Sequence, residues 1–289
     1  MDTALSNALN HFFKQEGLPE GYMNLVHGHL IPLTAWIHER KQEKPLVIGI
    51  NGAQGSGKST MSVALAIILK HCFGHRVATL SIDDLYLRKE ERNRLATTVH
   101  PLFKTRGVPG THDIQLGVDT IVKLITESGD VAVPRFDKST DDRWDETEWP
   151  CYRTPVDILF LEGWCVATPP QPQNQLLTTV NELEASEDRE GVWRRFANEA
   201  LASDYQRLFS KIDVLLFLKV PGFDAVMQWR GRQERQTFKA GEGMETQQLT
   251  RFIQHFERLT RHSLEKLPGL ADVVIELDDQ QQIIHRIHR

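Results

Sequence analysis

Residues 45–71 place an apolar segment, a glycine-rich loop and a helical segment in direct succession. The apolar segment, Pro-Leu-Val-Ile-Gly-Ile at 45–50, contains no charged residue, which is typical of a strand buried on both faces of a parallel sheet. The helical segment begins near residue 57 and continues to about residue 71. A strand that leads through a short loop into a helix is the repeating unit of α/β folds, so the sequence predicts that class.

The loop between these two segments has the pattern G-x-x-x-x-G-K-S. Its residues, with the one that follows, are Gly52, Ala53, Gln54, Gly55, Ser56, Gly57, Lys58, Ser59 and Thr60. Glycines let the backbone turn its N–H groups toward phosphate oxygens, and the helix that follows adds its positive N-terminal end. In loops of this type the lysine reaches the β- and γ-phosphates and the serine hydroxyl ligates Mg²⁺. The motif therefore predicts that residues 52–60 bind ATP with Mg²⁺.

Apolar and amphipathic segments alternate along the rest of the chain. The predicted strands cover residues 45–50, 76–82, 157–162, 213–220 and 272–277. The predicted helices cover residues 57–71, 112–127, 192–211, 222–238 and 246–265. This alternation predicts an α/β domain over residues 45–289, with a P-loop NTPase-type parallel sheet of about five strands flanked by helices. Helical spacing within residues 3–42 predicts that residues 1–44 form an N-terminal helical extension packed on this domain.

Composition limits the partners and the compartment. The formal net charge of −5 argues against a nucleic-acid partner. No apolar run approaches the ~20 residues of a membrane helix, and the N-terminus lacks the features of a secretory signal. The three cysteines, Cys72, Cys151 and Cys165, lie far apart and fit a reducing compartment rather than a disulfide framework or a zinc site. We expect a cytoplasmic protein with neither nucleic acid nor membrane as a partner.

Acidic residues stand at the ends of two predicted strands. Asp83 and Asp84 end the second strand, and Glu162 ends the third within Leu-Glu-Gly-Trp. Because ligands gather at the carboxyl ends of parallel strands, these acids should face the phosphate loop. Asp83 is the candidate base that orients a substrate hydroxyl and takes its proton, although one of the two aspartates could instead cap the next helix. Glu162 is the candidate ligand for magnesium or its water shell.

Three basic or turn-forming segments are further candidates for the site. The turn from Arg106 to Asp113 leads into a helix that Thr111 or Asp113 can cap, and Arg106 with that helix N-terminus can equally form an anion pocket. Lys138 follows another apolar run and is a candidate for the same pocket. Residues 229–235 carry arginines that either form a solvated basic face or close over ATP as a lid, with Arg230 and Arg235 as the closing residues.

The absence of two motifs narrows the class of nucleotide-binding protein. No Asn-Lys pair occurs, although GTPases usually read the base with an N-K-x-D motif, and no LSGGQ signature of transporter ATPases occurs. These absences favour a small-molecule kinase.

From residue 45 to the C-terminus the chain resembles the glycerate kinase branch of the phosphoribulokinase and uridine kinase-like P-loop kinases. The motifs that carry the resemblance are the phosphate loop, Asp-Asp-x-Tyr at 83–86, Gly-x-Pro-Gly-Thr-His-Asp at 107–113, Phe-Asp-Lys-Ser at 136–139 and Leu-Glu-Gly-Trp at 161–164. The resemblance implies ATP-dependent phosphorylation of a small hydroxylated compound, with D-glycerate converted to 3-phosphoglycerate as the activity that names the family. It also implies Asp83 as the base.

We therefore expect Lys58, Asp83 and Glu162 to be catalytic, with Ser59 and Glu162 holding the metal. The residues expected to contact a small anionic acceptor are Asp84, Tyr86, Arg106, Thr111, His112, Asp113, Lys138 and Trp164. Two other functions stay open at this stage. One is a kinase for a nucleoside, pantothenate or a sugar phosphate, and the other is an ATP-binding regulator that transfers no phosphate. The paired acids at 83–84 favour transfer, because a pure sensor does not need them.

Overall fold

The structure is a computed structural model that describes residues 3–18, 21–237 and 246–289, with side chains described outside 233–246. Its helices are α1 Thr3–Gln15, α2 Tyr22–Leu25, α3 Ile31–Arg40, α4 Lys58–Phe73, α5 Lys89–Thr98, α6 Ile114–Thr126, α7 Glu182–Glu187, α8 Val192–Ala202, α9 Asp204–Phe209, α10 Phe223–Thr237 and α11 Thr246–Lys266. Its strands are β1 Leu46–Gly52, β2 Val77–Ser81, β3 Gly129–Ala132, β4 Phe136–Asp137, β5 Asp142–Arg143, β6 Cys151–Thr154, β7 Ile158–Gly163, β8 Val214–Lys219, β9 Val273–Leu277 and β10 Ile283–His288.

The central sheet has the order β10-β9-β8-β1-β7-β2. Strands β9, β8, β1, β7 and β2 are parallel to one another, and β10 pairs antiparallel with β9 at the edge. The predicted parallel core of five strands is therefore confirmed. Strand β10 was not predicted because its sequence, Ile-Ile-His-Arg-Ile-His, is half polar. Four of its six residues are exposed at the edge of the sheet, and it lacks the apolar run typical of a central strand.

The two central strands are buried along their whole length, since every residue of β1 and β7 is buried. One face of the sheet packs on α4 and on the N-terminal helices, and the other face packs on α6 and α9. Leu9, Leu30 and Ile37 of the N-terminal segment are fully buried in the same cluster as Ile48 of β1 and Leu65 of α4. The N-terminal helices thus share a core with the first strand and helix of the domain.

The structure differs from the predicted helices at several places. The helix predicted over 192–211 is divided into α8 and α9 at Ser203, whose hydroxyl donates to the carbonyls of Glu199 and Ala200 and competes with the helical backbone pattern. Helix α5 was not predicted because its sequence, Lys-Glu-Glu-Arg-Asn-Arg-Leu-Ala-Thr-Thr, offers almost no apolar stripe. Among the described helices, none combines the length and apolar character that a membrane span needs.

The shared core makes a prediction about stability. Replacing Leu9 by Ala removes a fully buried side chain and leaves a cavity between α1 and α4, so the free energy of unfolding should fall by about 2–5 kcal/mol in urea titrations. The matched control is Asn10→Ala, which lies on the exposed face of the same helix and should change stability by less than about 0.5 kcal/mol. Equal effects of the two substitutions would contradict the shared core.

Candidate active site

The phosphate loop connects β1 to α4 at the carboxyl end of the sheet. Gly57 precedes the first residue of α4 with a φ of 82°, a left-handed conformation that glycine adopts without strain. The amide of Ser56 donates to the carbonyl of Ala53 at 3.1 Å, which closes the loop on itself. Because the first amides of a helix have no intrahelical acceptor, this loop presents donors to an anion bound at the start of α4.

A buried carboxylate faces the loop from β7. The hydroxyl of Ser59 donates to Oε1 of Glu162 at 2.9 Å, and Glu162 is only 4% exposed. Its second oxygen, Oε2, is buried and has no hydrogen-bond partner among the described residues. A buried carboxylate with one free oxygen is costly unless a cation or donor compensates it. The Ser59–Glu162 pair therefore fits a hard cation such as Mg²⁺, which prefers oxygen ligands.

Asp83 lies two residues after Ser81, the last residue of β2, which pairs with Glu162 of β7. Its two oxygens accept hydrogen bonds from the hydroxyl of Tyr86 at 2.7 Å and from the ammonium of Lys138 at 2.8 Å. Burial by itself would raise the pKa of Asp83, but the charges of Lys138 and Lys58 outweigh it and hold that pKa well below its usual range. Asp83 is consequently ionised at neutral pH, within the electrostatic reach of the phosphate-loop lysine.

Asp84 has different partners from Asp83. One of its oxygens accepts from the amide of Phe136 at 3.1 Å, and the other pairs with the guanidinium of Arg135 at 3.1 Å. Burial raises the pKa of Asp84 to about 6, and Arg135 opposes that rise. Asp84 therefore ties the β4–β5 hairpin to the end of β2. Arg135 was not predicted from the sequence, where it stands as a single arginine before the Phe-Asp-Lys-Ser motif.

Two of the predicted acceptor residues, Thr111 and Trp164, hold the 106–113 turn in place. Gly107 adopts a φ of 119°, and a Cβ there would lie 2.6 Å from the ring of Phe256. Its carbonyl accepts from the indole of Trp164 at 2.8 Å, and its amide donates to the hydroxyl of Thr111 at 2.9 Å. Thr111 and Trp164 are both buried, so their polar atoms are engaged in building the turn. The structure does not bring the Thr111 hydroxyl to the surface of the site.

Asp113 and Arg106 are also engaged within the protein. Asp113 caps α6 and pairs with Arg143 at 3.3 Å, which is one of the two alternatives left open by the sequence. Arg106 forms an ion pair with Asp141 at the turn of the β4–β5 hairpin. The charge of Asp83 raises the pKa of Lys138 and the charge of Arg106 opposes that rise, so Arg106 lies within electrostatic reach of Lys138.

His112 lies between these two residues of the turn and is buried. Its ring packs against Tyr86 with 4.9 Å between centroids, and its Nδ1 is hydrogen-bonded to the hydroxyl of Tyr205. Burial lowers the pKa of His112 to about 4, so the imidazole is neutral at physiological pH. Tyr205 belongs to α9, and no motif in the sequence pointed to it.

The predicted arginine lid is described only in part. The guanidinium of Arg230 lies 5.9 Å above the ring of Phe252, and the side chain of Arg235 lies outside the described residues. The adjacent Trp229 donates its indole N–H to the carbonyl of Asp279 at 2.9 Å, in the turn between β9 and β10.

That C-terminal turn also contacts the phosphate loop. The carboxamide of Gln281 donates to the carbonyl of Gly55, a contact between residues 226 positions apart in the chain. The turn thus helps to fix the backbone of the loop. No pattern in the sequence indicated this contact.

A groove of about 560 Å³ runs along the open edge of β2, between that strand and α4. It reaches Ser59 and Glu162 at one end and is bordered by Asp84, Arg135 and Tyr152. The groove therefore opens to solvent beside the Ser59–Glu162 pair.

Comparison with known proteins finds relatives that are named as kinases. No family model matches the chain. The uncharacterized kinase mug58 of Schizosaccharomyces pombe is 33% identical over 232 residues, a match that covers 75% of this chain and 80% of that protein. The chloroplastic D-glycerate 3-kinase of Arabidopsis thaliana is 30% identical over 252 residues, covering 80% of this chain and 53% of that protein, so the match spans about half of that relative.

A solved structure shows the same fold. The D-glycerate 3-kinase from Cryptococcus neoformans superimposes with a TM-score of 0.74 at 23% identity, covering 92% of this chain and 99% of that chain. The α/β architecture with a mostly parallel sheet is thus shared over nearly the whole length.

The contacts of Asp83 make a prediction about pH. Activity that needs the ionised carboxylate is lost as pH falls through the pKa of Asp83, which Lys138 keeps low. In Lys138→Met that pKa rises, so the acid limb of the kcat profile for phosphoryl transfer should move to higher pH by about one unit or more. Lys123→Met, an exposed lysine of α6, should leave the profile in place. An unmoved acid limb in Lys138→Met would show that this ion pair does not set the profile.

The contact of the C-terminal turn makes a second prediction. Gln281→Ala removes a donor to the phosphate loop, so the KM for ATP should rise by about 2–10-fold, as expected for loss of one hydrogen bond. The neighbouring Gln280→Ala is the control, since the side chain of Gln280 has no contact with the loop among the described hydrogen bonds. Steady-state kinetics with ATP varied would detect the difference. Identical KM values for both variants would mean that the turn does not support nucleotide binding.

Proposed function

Because this chain belongs to the glycerate kinase-like branch of the P-loop kinases, we propose that it transfers the γ-phosphoryl group of ATP to the 3-hydroxyl of D-glycerate. The chain is an ATP-dependent phosphotransferase with an alcohol group as acceptor, as its relatives among named kinases indicate. D-glycerate is the substrate in the name of a relative that is 30% identical, and its assignment to this chain is part of the proposal.

The observation that carries the proposal is an ionised carboxylate beside the phosphate loop. Asp83 lies within electrostatic reach of Lys58, and its oxygens are held by Tyr86 and Lys138. We assign residues 52–60 to the triphosphate, with Lys58 on the β- and γ-phosphates, and we assign Ser59 and Glu162 to the metal. When bound, Mg²⁺ supplies positive charge that offsets charge on the phosphate oxygens.

In the proposed reaction, the acceptor hydroxyl oxygen forms a bond to the γ-phosphorus. The bond between that phosphorus and the β–γ bridging oxygen breaks, ADP leaves, and the hydroxyl proton passes to Asp83. A carboxylate with a low pKa is a weak base toward a free alcohol. It suffices here because phosphoryl transfer has a loose transition state, in which the hydroxyl becomes strongly acidic only as its bond to phosphorus forms. Until then Asp83 orients the hydroxyl.

The cations around Asp83 support an anionic acceptor. Lys138 lies beside the carboxylate and Arg106 lies within electrostatic reach of Lys138; Lys138 is paired with Asp83 and Arg106 with Asp141. A small acceptor that carries a carboxylate next to its hydroxyl would be attracted by these two charges while its hydroxyl contacts Asp83. We propose Arg106, His112 and Lys138 as the residues that recognise it. A cytoplasmic location stays a prediction from the sequence.

Substitution of the proposed base tests the mechanism. Asp83→Asn keeps the shape of the side chain but loses its charge, so kcat should fall by about 10²–10⁴-fold. The Kd for Mg·ATP measured by calorimetry should stay within about twofold, because the phosphate loop is intact. Asp130→Asn, at an exposed surface ion pair, is the matched control and should retain full turnover. Unchanged turnover in Asp83→Asn would remove this residue from the role of base.

A panel of acceptors tests the substrate. We expect ADP release with D-glycerate, together with a phosphomonoester product seen by ³¹P NMR, and little response to uridine, pantothenate or sugar phosphates. A response to uridine without one to glycerate would reverse the assignment. Release of inorganic phosphate alone, or a stable ATP complex with no acceptor used, would favour the regulator.

A further inference from the structure

The imidazole of His112 packs against the ring of Tyr86, and Tyr86 contacts the proposed base, Asp83. Its backbone pairs with Tyr86 in an antiparallel bridge, and the two rings are tilted against each other. The hydroxyl of Tyr86 donates to Asp83. Backbone pairing therefore fixes the main chain of His112 beside the segment that follows β2, and the ring of Tyr86 packs against its imidazole.

The hydrogen bonds of Tyr205 determine which nitrogen of His112 carries the proton. Tyr205 is 1% exposed, and its hydroxyl oxygen accepts the amide of Gly110 at 3.0 Å. Burial raises the pKa of Tyr205 well above its usual value, so the phenol keeps its hydrogen. Because Nδ1 of His112 is the acceptor within reach of this phenol among the described hydrogen bonds, we assign the phenol hydrogen to that bond. A neutral imidazole that accepts at Nδ1 carries its hydrogen on Nε2.

That Nε2–H has no acceptor in the described part of the chain, although the atom is buried. Asp83, whose charge acts on His112, makes no hydrogen bond with Nε2, and its oxygens accept hydrogen bonds from Tyr86 and Lys138. Buried donors in folded proteins almost always find an acceptor, and an exception calls for a physical reason such as a missing ligand.

We propose that Tyr205 is a positioning residue that fixes His112 as a neutral Nε2–H donor, and that this donor binds a carboxylate oxygen of the acceptor. The proposal rests on the proposed function, because it names the recognition group for the same acceptor. A neutral donor suits this position. An imidazolium beside Asp83 would pair with that carboxylate and compete with Lys138, whereas a neutral N–H adds direction without adding charge.

The tautomer can be measured without any acceptor. Nitrogen-15 NMR of the histidine rings in the resting protein should show His112 protonated at Nε2 and unprotonated at Nδ1 near neutral pH. In Tyr205→Phe the donor to Nδ1 is lost, so the Nδ1 shift should move and the second tautomer should become populated. A wild-type His112 that carries its hydrogen on Nδ1 would overturn the proposal.

Two substitutions of His112 test the direction of the donor. A glutamine places its amide nitrogen near the position of Nε2, and an asparagine places it near Nδ1. His112→Gln should therefore keep the acceptor KM within about threefold, and His112→Asn should raise it by about 10–100-fold, the range for losing a hydrogen bond to a charged group. Equal acceptor KM values for His112→Gln and His112→Asn would count against the proposal, even if the two variants differ in stability.

The positioning role of Tyr205 has its own control. Tyr205→Phe should raise the acceptor KM by about fivefold or more with an unchanged KM for ATP. Tyr22→Phe in α2, which packs in the core on the other face of the sheet from Tyr205, should change neither. An unchanged acceptor KM in Tyr205→Phe would overturn the role of Tyr205. If the wild-type enzyme uses no hydroxy acid, the proposed function fails. The tautomer measurement then still decides the resting state of His112.

Discussion

The central position of β1 in a parallel sheet brings every part of the site together. Strand β7 lies beside β1, and β2 lies beside β7, so the phosphate loop, Glu162 and Asp83 emerge at the same edge in neighbouring positions. The residues between 45 and 163 that separate these strands in the chain are placed outside the sheet as helices and hairpins. The proximity of the phosphate loop, Glu162 and Asp83 thus follows from strand order, as expected for open α/β sheets.

Ion pairs hold the acids that follow β2 in position. Each aspartate after β2 is held by a cation from the segment around β4 and β5, Asp83 by Lys138 and Asp84 by Arg135. The same hairpin carries Asp141, which binds Arg106 and the buried Arg92. The hairpin therefore sets the ionisation of Asp83 and the position of the cations beside it. The same ion pairs attach the hairpin to Asp83 and Asp84.

The sequence was sufficient for features that depend on local pattern. The five parallel strands, the phosphate loop and the helix that directly follows it, α4, follow from apolar runs and glycine spacing, which report burial and backbone conformation directly. Contacts between distant segments could not be predicted from the sequence. The Gln281–Gly55 hydrogen bond and the Tyr205–His112 pair join residues 226 and 93 positions apart, and a glutamine or tyrosine in a polar helix or turn carries no local sign of its partner. Thr111 illustrates the reverse case, because its motif suggested a ligand contact while its hydroxyl closes the turn.

The account depends on a triphosphate held by residues 52–59. Isothermal titration of the full chain with a non-hydrolysable magnesium–ATP analogue tests this most directly, using Lys58→Ala as the comparison. We expect one site per chain in the wild type, a strong dependence on Mg²⁺, and an affinity at least about tenfold weaker without the lysine. Absence of heat in the wild type, or equal binding by both proteins, would contradict the account.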